Sequence, residues 1–72
     1  MSTENNGSIV SAGLQRLRQS PYNAVRRLSC ECVGGVLTLR GTVASFFHEQ
    51  IAQQSVAGLE GVNLVNNQVD VM

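Results

Sequence analysis

The chain has 72 residues, 43% of them apolar and 14% charged, with five arginines balanced by five acids and no lysine. That length allows one small domain, the hydrophobicity excludes a disordered chain, and the even charge balance excludes the clustered basic surface of a dedicated nucleic-acid binder. No apolar run approaches the roughly 18 residues of a membrane span, and a domain this small buries only about 60% of its unfolded surface, so self-association would add stability.

Met1 to Gly7 are polar and end in glycine, which predicts a flexible N-terminal tail over 1–7 ahead of a single domain over 8–72. Ser8 is a suitable cap, and Ile9, Val10, Gly13, Leu14 and Leu17 recur at helical spacing. They predict a first helix over about 8–19, which Pro21 stops. Gly13 lies on the buried stripe; it weakens the helix by about 1 kcal/mol relative to Ala, and is expected to let the helix lie close to a sheet.

From Val25 the period changes to alternation. Leu28, Cys30 and Cys32 face one way, and Arg27, Ser29, Glu31 and Val33 the other. Gly34-Gly35 is a two-residue hairpin signal, because glycine accepts the positive φ that such turns require. It leads into a second strand, Val36 to Val43, and sets the register: Val33 opposite Val36, Cys32 opposite Leu37, Cys30 opposite Leu39 and Leu28 opposite Gly41. On the other face Glu31 meets Thr38 and Ser29 meets Arg40. Turn chemistry and face alternation therefore agree. Gly41, opposite Leu28, is expected to leave room for the helix layer.

Ser45 then caps a second helix over about 45–58, with a stripe of Ile51, Ala52, Ser55, Val56 and Leu59 and with His48 one turn above Ala52. Gly61-Val62 opens a third strand in which Val65, Asn67, Val69 and Val71 share one face. A strand–helix–strand connection favours a right-handed parallel crossover. The expected fold is α+β: a two-layer αββαβ sandwich whose three-stranded mixed sheet, in order 1-2-3, carries two helices on one face and leaves the other polar and open.

Two segments resemble a known family. Gly35-Val36-Leu37-Thr38-Leu39-Arg40-Gly41-Thr42-Val43-Ala44-Ser45 resembles the G-x-V-x-L-x-G-x-V-x-S core of BON domains, the bacterial osmotic-stress and nodulation-associated modules. Gly61-Val62-x-x-Val65-x-Asn67-x-Val69-x-Val71 resembles their closing block, and Ala52 falls at the position of the family's helix alanine. The likeness spans about residues 9–72. It implies the αββαβ fold, no known enzymatic activity, and a role at membranes through phospholipid or an envelope-associated protein. The chain departs from the family in having one copy of the module, a C-x-C pair on the first strand, and no secretory signal in its N-terminal residues. The resemblance points to the bacterial envelope, whereas the N-terminus and two free thiols fit a cytoplasmic protein or an excised domain.

The residues able to carry chemistry are few. Cys30 and Cys32, two apart on a strand, sit roughly 6.5 Å from each other and do not bridge. A structural zinc site wants four ligands, and His48 is the one other nitrogen or sulfur ligand of the usual kind, so the thiols read as small core hydrophobes, with a metal or redox site as the alternative. His48 alone supplies no Ser-His-acid or Cys-His constellation. The five acids are scattered, and the glycines lack the Lys-Ser/Thr of a phosphate loop. No catalytic residue, metal or cofactor is expected. RNA binding is disfavoured too, since the lone Tyr22 provides no stacking platform and no G-x-x-G clamp is present.

Phe46 and Phe47 stand out. On a helix starting near Ser45, Phe47 falls at the edge of the buried stripe and Phe46 nearly opposite its centre, so one ring is expected in solvent. Either it inserts into a membrane interface or a partner's groove, or both rings fold over the core edge. Arginines attract anionic lipid, although Arg16, Arg18, Arg26, Arg27 and Arg40 share no obvious stripe, and Arg26 and Arg27 would point to opposite faces if extended. The candidate lipid- or partner-binding residues are therefore Phe46, Phe47, Arg40 and Arg27. The expected function is a non-catalytic binding module for a phospholipid surface or an envelope-associated protein. The alternative is self-association, as a homo-oligomer, through the open sheet face or an edge strand.

Overall fold

The computed structural model describes residues 5–72. In chain order these form α1 (Asn5–Arg18), α2 (Asn23–Arg26), β1 (Ser29–Val33), β2 (Val36–Val43), α3 (Phe46–Val56) and β3 (Leu64–Val71). The helix α1 starts at Asn5, three residues ahead of the expected cap at Ser8. Residues 1–4 of the expected tail lie outside the described residues. Arg16 and Arg18 sit in the last turn of α1, where a cation complements the negative end of the helix dipole.

The three strands form one sheet in the order β1-β2-β3. β1 and β2 are antiparallel, pairing Val33 with Val36, Cys32 with Leu37, Cys30 with Leu39 and Ser29 with Arg40. β2 and β3 are parallel and in register from Val36–Leu64 to Val43–Val71. The sheet is mixed, and the hairpin pairing is the one the two-glycine turn requires.

The core lies on one face. Leu17 of α1, Val25 of α2, and Ala52 and Val56 of α3 close completely over Leu37 and Leu39 of β2, with Cys32, Val43, Leu59 and Val69 around them. Gly13 sits where α1 crosses the sheet: a Cβ there would stand 3.0 Å from the Cys30 Sγ. A side chain at that position would press on the Cys30 sulfur, which would have to give by a few tenths of an ångström.

One element differs from the sequence expectation. Alternation from Val25 predicts a strand, yet Asn23–Arg26 form a single helical turn and β1 begins at Ser29. The cause is local hydrogen bonding. The Val25 and Arg26 N–H groups both donate to the Tyr22 carbonyl, at 3.0 and 3.1 Å. The Arg26 guanidinium donates to the Ser20 carbonyl at 3.1 Å and to Asn23 Oδ1 at 3.2 Å, pinning the turn to the end of α1. Four residues are too few to show a period. Arg26 and Arg27 are thus not extended; Arg27 is the C-cap of α2.

Gly41 also plays a different part from the one expected. It makes room for Leu28 rather than for the helix layer: a Cβ at Gly41 would lie 2.5 Å from Leu28 Cδ2, and its φ of +138° is one that side chains disfavour. Leu28 itself is buried. Replacing Gly41 by Ala therefore adds both a clash and backbone strain, and is expected to cost about 2–4 kcal/mol, read as a lower urea midpoint at unchanged slope. Gly7→Ala serves as the control. It lies on α1 in open space and should raise stability by up to about 1 kcal/mol.

Candidate functional site: an aromatic tip at the start of α3

Ser45 ends the strand-to-helix turn in an extended conformation, and its hydroxyl accepts the His48 N–H at 3.3 Å, which caps α3. That cap fixes where the next three side chains point. Phe46 is 71% exposed and Phe47 55% exposed. Neither ring folds into the core.

Phe47 is nevertheless held in place. Its ring meets Tyr22 edge-on, with centroids 5.4 Å apart at 90°, and lies 5.8 Å from the His48 ring. Tyr22 and His48 are 5.1 Å apart. Edge-to-face pairs of this kind contribute about 0.5–1.5 kcal/mol beyond their area burial. The three rings fasten the start of α3 to the residue before α2, while Phe46 projects beyond them. His48 Nδ1 is buried and has no hydrogen-bond partner among the described residues. Met72 is 85% exposed at the same end of the sheet, where its N–H donates to the Val43 carbonyl at 3.0 Å.

The four candidate residues do not form one patch. Arg27 follows α2 directly as its C-cap and is exposed. Arg40 is elsewhere. It sits on the open face of the sheet, 3.5 Å from Glu31 Oε1, and donates to Gln68 Oε1 at 3.3 Å. Its charge is engaged by neighbours on both flanking strands. Tyr22 and His48 were not among the candidates, because a lone Tyr lying 25 residues before Phe47 gives no sequence signal of contact.

Beside the rings, the end of α1 and the flank of α3 leave an open groove of about 380 Å³, lined by Arg16, Gln19, Tyr22, Ile51, Gln54 and Ser55 among others. The Arg16 guanidinium donates across it to the Ser55 carbonyl at 3.5 Å. No group of three or more His, Cys, Asp or Glu side chains converges on a metal-sized site among the described residues. No helix among them is long and apolar enough to cross a membrane.

The two thiols are packed. Cys32 is buried and Cys30 half-buried, with Cys30 Sγ donating to the Val10 carbonyl at 3.7 Å. Burial, reinforced by the neighbouring Cys32, pushes the Cys30 thiol above its ordinary value of 9.0. That is the opposite of what a reactive thiolate needs. Because the folded state holds this proton more tightly than the unfolded chain, its contribution to stability is complete below pH 9.0 and is lost as pH rises beyond it. Urea midpoints measured on both sides of that pH should therefore fall more steeply for the native chain than for Cys30→Ala. Parallel curves would count against a buried, proton-holding thiol.

A family model for the BON domain matches residues 5–72, so the match begins where α1 begins and takes in every element of the fold. Comparison with curated proteins found no match. With its mixed three-stranded sheet, its helices on one face and nearly its whole length covered, the chain belongs to the BON domain family.

Proposed function

We propose that this chain is a non-catalytic binding module that docks on a phospholipid surface through the start of α3. The observation that carries this reading is the placement of Phe46 and Phe47: two large apolar rings in solvent, one of them braced by Tyr22 and His48. A braced ring loses little conformational entropy on insertion. Phe46 enters the interfacial region first, Phe47 follows at its edge, and exposed Arg27 supplies attraction for anionic headgroups. Arg40 takes no part, since Glu31 and Gln68 hold it on the open sheet face.

The test is co-sedimentation with anionic and with neutral vesicles, with folding of every variant checked by circular dichroism. The native chain should bind anionic vesicles, and Phe46→Ser with Phe47→Ser should weaken binding at least about tenfold, since burial of one such ring is worth about 1.5–3 kcal/mol. Arg27→Gln should cost about fivefold on anionic vesicles alone, in line with about 1 kcal/mol per basic residue at such a surface. If the native chain ignores both vesicle types, the lipid reading fails and an envelope-associated protein becomes the partner to seek.

A second reading, self-association, has its own observation. On the open sheet face Val33, Val36 and Leu64 stand side by side across all three strands, with Val33 72% and Leu64 60% exposed. Face-to-face packing of two copies would cover this row. Light scattering over a concentration series decides it: an oligomer that Val33→Lys with Leu64→Lys dissolves supports the reading, and a mass that stays monomeric throughout removes it.

A further inference from the structure

β1 and β3 are the two edges of the sheet. β3 runs eight residues, Leu64–Val71, with Asp70 as its only charge and an unbroken ladder to β2. It lacks the proline, lysine or bulge with which sheet edges are commonly protected against pairing.

The ladder dictates what this edge offers. The Leu64 N–H donates to the Gly35 carbonyl at 3.2 Å and the Met72 N–H to the Val43 carbonyl at 3.0 Å. Even-numbered residues of β3 therefore face β2. Val65, Asn67, Val69 and Val71 turn their backbone N–H and C=O to the free edge, since the bonding groups alternate sides along a strand. One of those outward donors is already taken: the Val69 N–H donates to the side-chain Oδ1 of Asn67 at 3.1 Å. The same amide is tethered at its other end, where Nδ2 donates to Gln53 Oε1 of α3 at 3.1 Å. The Asn67 side chain thus lies against its own strand edge, held there from the helix layer.

We infer that the β3 edge is a pairing surface for a second copy of this chain and that the Asn67 side chain is the latch that keeps it shut. The strand is self-complementary in one register. Antiparallel pairing about a two-fold axis normal to the sheet must oppose odd-numbered residues, the ones with free edge groups. Centred on Asn67, it sets Val65 against Val69 of the second copy, Asn67 against its own equivalent, and Asn66 against Gln68. On the helix side Val65 meets Val69 on either flank of a central pair of Asn67 amides, and on the open side amide meets amide. The two Asp70 carboxylates end up at opposite ends of the pair. That register needs the Val69 N–H to reach the carbonyl of Val65 across the axis, and this is the donor that Asn67 covers. Strand pairing and the Asn67 bond compete for one hydrogen.

The inference is independent of the lipid reading, and sedimentation velocity over a concentration series tests it. Asn67→Ala uncovers Val69 N–H in both copies and should tighten dimerisation on the order of tenfold over the native chain, as expected for regaining one ordinary hydrogen bond per copy. Asn67→Asp keeps an acceptor beside Val69 N–H, although it gives up the bond to Gln53, and it opposes two carboxylates on the axis, so it should dimerise no more than the native chain. Adding Val65→Pro to Asn67→Ala should restore the monomer, because that N–H serves only the free edge and proline blocks it without costing a bond to β2. Two results overturn the proposal: Asn67→Ala no more dimeric than the native chain, or a dimer that survives Val65→Pro and so uses another surface. If Asn67→Ala does not fold, Gln53→Ala replaces it. Cutting the tether alone should shift the equilibrium in the same direction by a smaller factor, and no shift rejects the latch.

Discussion

The turn at Gly34-Gly35 governs the sheet from two sides. Both residues have positive φ, +58° and +82°, the pair of values that lets a two-residue loop follow the twist of its strands. That turn sets Cys32 against Leu37 and Cys30 against Leu39. The Gly35 carbonyl also accepts from Asn63 N–H at 2.7 Å and from Leu64 N–H at 3.2 Å, so the same residue starts the parallel ladder of β3. Asn63 lies so close that a Cβ on Gly35 would meet its Nδ2 at 2.5 Å. A slip of one residue here would turn the inward side chains of the slipped strand to solvent.

Once the register is set, three strands have one face to bury, and α1, α2 and α3 all cover the same one. Its contents are small: Leu17, Val25, Ala52 and Val56 over Leu37 and Leu39, with a glycine at the closest helix–strand approach. The opposite face keeps Glu31, Arg40 and Gln68 in a shallow polar network. Exposed ion pairs of that kind contribute little, so the fold rests on the single apolar layer. The surfaces it leaves unsatisfied are the aromatic tip, the Val33–Val36–Leu64 row and the β3 edge.

The candidate site was legible only in part. Exposure of Phe46 follows from helical spacing counted from Ser45, because a capped helix start fixes the direction of each side chain within its first turn. The bracing of Phe47 does not follow from it. Tyr22 lies before the short α2, and its approach to Phe47 depends on how Arg26 ties that turn to Ser20 and Asn23. Arg27 and Arg40 sit apart for a related reason. The helical turn over 23–26 replaces two residues of expected strand and leaves Arg27 as a helix cap, while Arg40 keeps its place on the sheet.

By itself the amino-acid order determined the features whose causes are local. The hairpin and its register came from two glycines, the two-layer class from alternation and helical spacing, and the cap at Ser45 from a hydroxyl three residues ahead of an N–H. It also carried the family, through two blocks of spaced valines and glycines that the family model covers. Tertiary structure alone decided what depends on distant residues meeting: the three-ring cluster, Leu28 in the space beside Gly41, and the Asn67 amide stretched between Val69 and Gln53. Those contacts leave no period in the chain, because each joins two side chains, or a side chain and a backbone group, whose separation is set by packing and not by spacing.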